Sequence, residues 1–191
     1  MGELPPHPPL FTRGRLVQLV GLFALAVVAT VINYAVVSHV GGPRLLPGGA
    51  AAPQISTTAA SGDHVALFGP AGAPARPVVL EFFETTCAVC QQEVTPMCQA
   101  RTQHPGADFY GVDAAREDAS AVNNFRRTQG GGCTGWPLLL DPQSAILRAY
   151  SVTVVPTVYV IDAKGRVAYA GTGAGGVDGL AAALHSLGAG G

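Results

Sequence analysis

Residues 78–83, Val-Val-Leu-Glu-Phe-Phe, make an apolar run of strand length, and after Glu84-Thr85-Thr86 the tetrad Cys87-Ala88-Val89-Cys90 opens a stretch of helical character. A strand that hands directly to a helix through two spaced cysteines leaves few folds open. Two thiols separated by two residues on a first helical turn can close a disulfide locally, and the helix N-terminus stabilises the first of them as thiolate. The order strand, CxxC, helix is therefore a redox signature, with a structural disulfide or a chance spacing as the plain alternative. Cys87, at the more exposed first position, is the expected attacking thiolate. Cys90, one turn further in, is the expected resolving thiol.

The flanking pattern alternates. Residues 64–68 and 78–83 read as strands, about 88–103 as a helix that Pro96 should kink, 108–113 as a strand and about 118–128 as a polar helix. A loop through Gly130-Gly131-Gly132 leads to a buried strand at 138–140 and a short helix at 144–150. Residues 157–161 and 166–170 form two strands around the turn Asp162-Ala163-Lys164-Gly165, and 177–187 close the domain as a helix. Strands alternating with helices and ending in a hairpin predict an α/β domain with a mixed sheet covered on both faces.

The N-terminal part is of another kind. Residues 16–37 contain no charge and only Gln18, Thr30 and Asn33 interrupt their apolar character, which matches the ~20 residues needed to cross a bilayer core. Arg13 and Arg15 precede the run and Arg44 alone follows closely, so the positive-inside bias puts the N-terminus in the cytoplasm and the rest outside. A cleaved signal peptide ending near Ala50-Ala51-Ala52 is the alternative, although the run is longer than an ordinary h-region. The expected organisation is a cytoplasmic tail at 1–15, a transmembrane helix at 16–40, a flexible Gly-, Ala- and Pro-rich linker at 41–62, and the domain at 63–191.

From residue 51 onward eight Lys or Arg stand against eleven Asp or Glu, with no basic run; nucleic-acid binding finds no support. All four cysteines fall in the predicted extracytoplasmic part, as expected where disulfides persist. No metal site is expected: there is no second CxxC, and His64, His104 and His185 lack ligand spacing. Cys98 and Cys133 read most simply as a structural disulfide, which could contribute ~3 to 4 kcal/mol. An accessory redox pair and two free buried thiols are the other readings.

Val155-Pro156-Thr157 is the second notable element, because a proline opening a buried strand cannot continue the hydrogen-bond ladder. A cis peptide would explain it, and the Val155 backbone could then pair with an extended substrate as an added strand.

With these motifs the domain resembles the thioredoxin superfamily, and within it the membrane-tethered disulfide reductases of the TlpA/ResA type, including cytochrome c maturation members. The resemblance rests on residues 78–90, Trp136-Pro137-Leu138-Leu139-Leu140-Asp141, Tyr150, and residues 155–162 with Gly165. The spacing from Cys90 to Pro156 exceeds that of plain thioredoxins and falls short of the helical insertion of DsbA-type oxidases. The resemblance implies a thioredoxin-like three-layer sandwich, a mixed central sheet flanked by helices, beside the N-terminal transmembrane helix. It makes Pro156 the active-site cis-proline; Val155 and Thr86 are the expected substrate contacts.

Glu81 stands where thioredoxin carries a buried acid and DsbA-type oxidases carry Glu, whereas tethered reductases commonly have Asn. Alternation puts it on the strand face opposite Leu80 and Phe82. Desolvated there it should have a raised pKa and could take a proton from Cys90; an outward, solvated Glu is the alternative. Glu93, three residues past Cys90, matches an acidic residue of cytochrome c maturation reductases placed to tune the cysteines, although a helix-surface Glu is equally ordinary. Phe83 and Thr86 replace the family's tryptophans, Pro96 falls one residue late, and Ala88-Val89 lacks the usual proline, so the redox potential stays open.

The expected function is reduction of disulfides in extracytoplasmic proteins, with apocytochrome c or another CxxC protein as the substrate the resemblance suggests. A membrane thiol electron donor would reset the pair, and no organic cofactor is required. The rivals are a dithiol oxidase using the same residues and a non-enzymatic copper-binding or redox-sensing module.

Overall fold

The computed structural model describes residues 13–39, 44–68, 72–129 and 135–189, and the chain divides into two compact units, Met1–Gly42 and Pro43–Gly191. The first contains α1 (Arg13–His39), a helix of 27 residues. Its described side chains, at Gly14 and residues 17–33, are exposed all round. Among the described residues no helix is long and apolar enough to cross a membrane.

The second unit has the α/β architecture. A hairpin of β1 (Ile55–Thr58) and β2 (His64–Leu67) precedes β3 (Val78–Phe83), α2 (Ala88–Gln103), β4 (Asp108–Asp113), α3 (Ala119–Gln129), β5 (Leu138–Leu139) and α4 (Ala145–Ala149). Then come β6 (Thr157–Ile161), β7 (Val167–Thr172), a 3-10 turn at Gly173–Gly175 and α5 (Leu180–Ser186). The sheet runs β5-β4-β3-β6-β7. β3, β4 and β5 are parallel neighbours, while β6 runs antiparallel to both β3 and β7.

This topology explains the apolar reading of β3. It is the central strand, all six of its residues are buried, and its alternate side chains feed two cores. Val79 and Phe83 join Cys90, Val94 and Met97 of α2, Phe125 of α3 and Leu184 of α5. Val78, Leu80 and Phe82 join Ile55, Ile146, Tyr150 and Tyr159. Gly111 of β4 lets Trp136 approach, since a Cβ there would stand 3.0 Å from its Nε1 and 2.6 Å from Leu138 Cδ2; no larger residue fits without a shift.

Two expectations need correction. Of the stretch read as a flexible spacer over 41–62, residues 44–62 are part of the folded unit and 41–43 lie outside the described residues: Ile55 is fully buried, and Leu45 and Leu46 pack on the second core. Its backbone is tied to both sheet edges. Gly49 N–H bonds Val167 O at 2.8 Å and Ala52 N–H bonds Gly165 O at 2.8 Å beside β7, while Ala60 N–H bonds Leu138 O at 2.7 Å beside β5. Covering the edges blocks their unpaired groups from other chains. The closing helix is also shorter than predicted, because the 3-10 turn and a following turn occupy the residues before Leu180.

Candidate active site

Because β3 is locked between β4 and β6, the residue after it leaves the sheet at a defined point. Three residues later Cys87 is the N-cap of α2, with extended backbone, and its sulfur accepts the Cys90 N–H at 3.1 Å. Cys87 N–H bonds Glu84 O at 3.2 Å and Gln91 N–H bonds Cys87 O at 3.0 Å. Cys87 and Cys90 are joined as a disulfide with Cα atoms 5.2 Å apart. Cys87 is half-buried whereas Cys90 is 1% exposed, so only the first sulfur can be approached from outside. In the dithiol form, the Cys90 N–H and the helix N-terminus would favour a Cys87 thiolate.

The Val155-Pro156 peptide is cis. Pro156 is buried at the start of β6, Val155 is half-buried and Thr86 is exposed. Val155 lines a shallow cavity of about 90 Å³ with Glu84, Ala114, Leu147, Val152, Thr153 and Val154, so the proline loop and the exit of β3 share one surface. Val89, 36% exposed, and Val154, 37% exposed, are the exposed large hydrophobics of the second unit among the described residues. A larger cavity, of about 510 Å³ and lined by Arg76, Arg101, Asp108 and Tyr110 among others, adjoins the opposite ends of β3 and β4. Among the described residues its lining includes no cysteine.

Both carboxyls singled out in the sequence are buried. Glu81 is 3% exposed and Glu93 5%, which removes the solvated alternatives. Burial, reinforced by the charge of Glu93, pushes the Glu81 carboxyl up to about 8. Glu93 is pushed up to about 7 by burial and then by Asp178, and among the described residues neither of its oxygens has a hydrogen-bond partner. Glu81 lies on the β3 face of Val79 and Phe83, the face whose core includes Cys90. The arrangement supplies a reachable sulfur, a sheltered one, and two acids with raised pKa values, of which Glu81 is mostly protonated at neutral pH and Glu93 partly so.

Three polar residues escaped the sequence reading. The Glu117 carboxylate accepts from Thr85 twice, from the hydroxyl and from the backbone N–H, the latter at 3.1 Å. Gln91 Nε2 donates to Thr85 O at 2.8 Å. Buried Asp113, at the end of β4, accepts from Ala115 N–H at 3.0 Å and Glu117 N–H at 2.6 Å. Desolvation raises its pKa to about 6 against those two bonds, which lower it. Nothing local in the sequence pairs Thr85 with Glu117.

Cys98, half-buried further along α2, is disulfide-bonded. Its expected partner Cys133 lies outside the described residues, as does the Gly130-Gly131-Gly132 loop. Among the described residues no group of three or more His, Cys, Asp or Glu could hold a metal ion.

A family model described as the AhpC/TSA family matches residues 49–170. The thiol-disulfide oxidoreductase ResA of Bacillus subtilis (strain 168) is 27% identical over 152 residues, 78% of this chain and 81% of the relative. ResA of Bacillus thuringiensis (strain Al Hakam) is 30% identical over 92 residues, 47% of this chain, and the match spans only about half of that relative, 51%. Among solved structures, a thiol:disulfide interchange protein of the thioredoxin family from Chlorobium tepidum TLS superposes with a TM-score of 0.61 at 23% identity. That superposition covers 74% of this chain and 98% of the other, and it establishes the thioredoxin-like fold.

Proposed function

The chain belongs to the AhpC/TSA family, as a thiol-disulfide oxidoreductase of the ResA type, and we propose that it reduces disulfides of extracytoplasmic proteins from a membrane tether. The observation that carries the chemistry is the asymmetry of the pair: an approachable Cys87 sulfur at the head of α2 and a sealed Cys90 behind it. In the dithiol form Cys87 thiolate attacks a substrate disulfide, forming a mixed disulfide and releasing one substrate thiolate. Cys90 then attacks the Cys87 sulfur and releases the second thiolate, so two electrons pass to the substrate and the pair ends as the disulfide seen here. Glu81 in its ionised form, the minority at neutral pH because its pKa is raised to about 8, receives the Cys90 proton in that second step, and the raised pKa brings donor and acceptor close in strength. A membrane thiol donor resets the pair.

Electrostatics support the reducing direction. No Lys, Arg or His occurs between Thr85 and Ala100, so no cationic side chain of this segment stabilises the thiolate. Oxidases of this chemistry are strong because a very stable thiolate stabilises their reduced form; here that stabilisation is limited to the helix terminus and one N–H. Substrate protein, in our reading an apocytochrome c or another CxxC protein, docks over Val89, Thr86 and the Val154-Val155-Pro156 loop. The tether is supported by the charge-free run over 16–37 and by the exposed apolar side chains of α1, Phe23 at 73% and Leu25 at 68% among them, which need lipid or another apolar cover. Recovery of the full chain in the carbonate-washed membrane pellet is expected; recovery in the supernatant would remove the tether.

The chemistry is tested by Cys90→Ser. Attack survives and resolution does not, so the variant should accumulate a mixed disulfide through Cys87 with a disulfide-bonded peptide. Failure to trap any adduct, with Cys87 alkylatable, would show the roles to be wrong.

A further inference from the structure

We propose that Glu117 is a positioning residue for thiol-disulfide exchange: by clamping Thr85 it holds the Cys87 sulfur on the Cys90 N–H at the head of α2. The inference rests on Cys87 being the nucleophile. The segment Glu84-Thr85-Thr86 links the end of β3 to the first turn of α2, and it leads the chain into Cys87. Thr85 is fixed there from two sides. Glu117 takes its hydroxyl and its N–H, and Gln91, one turn beyond Cys87, takes its carbonyl.

The clamp is itself braced from the sheet. Asp113 is paired with Phe83 in the β3–β4 register, and Ala114 N–H bonds Phe83 O at 2.8 Å, so the loop after β4 starts from the end of the same strand that delivers the cysteines. Asp113 then gathers the Ala115 and Glu117 N–H groups, and Arg116 between them has φ of 62°. A non-glycine residue in the left-handed region persists only where its surroundings hold it. This turn presents the Glu117 carboxylate to Thr85. A charged acceptor taking two bonds from one residue fixes it more firmly than a single neutral bond.

Positioning and charge have opposite signatures. Loss of the clamp lets the Cys87 sulfur drift from its N–H, which raises the thiol titration midpoint and slows attack. Loss of a nearby negative charge alone lowers the midpoint. Glu117→Gln keeps an acceptor oxygen for the Thr85 N–H and an amide that can donate to its hydroxyl, so it preserves geometry and removes charge.

The test uses the full chain carrying Cys90→Ser, with iodoacetamide alkylation of Cys87 followed against pH and its reaction with 5,5′-dithiobis(2-nitrobenzoate) timed at pH 7. Glu117→Ala should raise the midpoint by about one pH unit and slow the reaction about tenfold. Glu117→Gln should restore both to near the parent values. Thr85→Val, which loses the hydroxyl and keeps the N–H, should lie between. An unchanged midpoint and rate in Glu117→Ala, or an equal downward shift in Ala and Gln variants, would overturn the proposal. If Glu117→Ala does not fold, parent values in Thr85→Val would overturn it equally. The parent protein's failure to react with any disulfide, by contrast, would strike at the proposed function.

Discussion

Glu81 holds a proton to about pH 8 because burial beside Glu93 disfavours its charge. An unfolded chain releases that proton near its ordinary value of 4.5. Below that value both states are protonated and Glu81 imposes no penalty. Between 4.5 and about 8 the folded state alone keeps the proton, so stability falls as pH rises, by up to roughly 1.4 kcal/mol for each pH unit crossed, and levels off above the folded value. Glu81→Gln should therefore leave thermal stability at pH 4 almost unchanged and raise it at pH 8. A melting-temperature curve parallel to that of the parent across this range would exclude Glu81 as the responsible group. The position of Glu81 was legible in the sequence, because alternation along a six-residue strand assigns faces. Glu93 was not, since a residue three places past Cys90 can face core or water according to what packs on α2. The Thr85–Glu117 contact was hidden for a related reason: it joins residues 32 apart through a left-handed turn.

At the scale of elements, strands β3 to β7 and the helices between them lie within two residues of the ranges read from the sequence, and α2 matches at both ends. The segment before them does not. Residues 45–60 carry Gly, Ala and Pro in the proportions of a linker, and what fixes them is backbone pairing with the edges of β5 and β7, which no side-chain period announces. Two tyrosines complete the attachment. Tyr159 donates to Tyr150 O at 2.6 Å and accepts Leu46 N–H at 3.0 Å, while Tyr150 donates to Pro53 O at 2.8 Å. Their rings pack on each other at a centroid distance of 5.3 Å and on Phe82 at 5.6 and 6.1 Å. Tyr159→Phe keeps the packing and strands a buried carbonyl and an N–H, at a cost of about 1–3 kcal/mol. That predicts a melting temperature lower by about 2–4 °C per kcal/mol, with exchange chemistry unaffected in the folded protein. An unaltered melting temperature would mean that the N-terminal segment does not depend on this hydroxyl.

For the molecule as a whole, the folded unit couples a rigid central strand to a reactive helix terminus, and the apolar helix α1 belongs to a separate unit. The same scaffold could in principle move electrons either way, and the thioredoxin-like fold does not choose between them. The choice falls to the local field at Cys87, where the helix terminus and the Cys90 N–H favour the thiolate and no Lys, Arg or His between Thr85 and Ala100 adds to them. Equilibration of the Cys87–Cys90 pair with glutathione, the fraction of disulfide being read by mass after acid quench, gives the reduction potential directly. A reductase should give a value towards the thioredoxin end of the scale, ~ −270 mV. A value near ~ −120 mV, the strongly oxidising end, would contradict the reductase and make the protein a disulfide-forming oxidase.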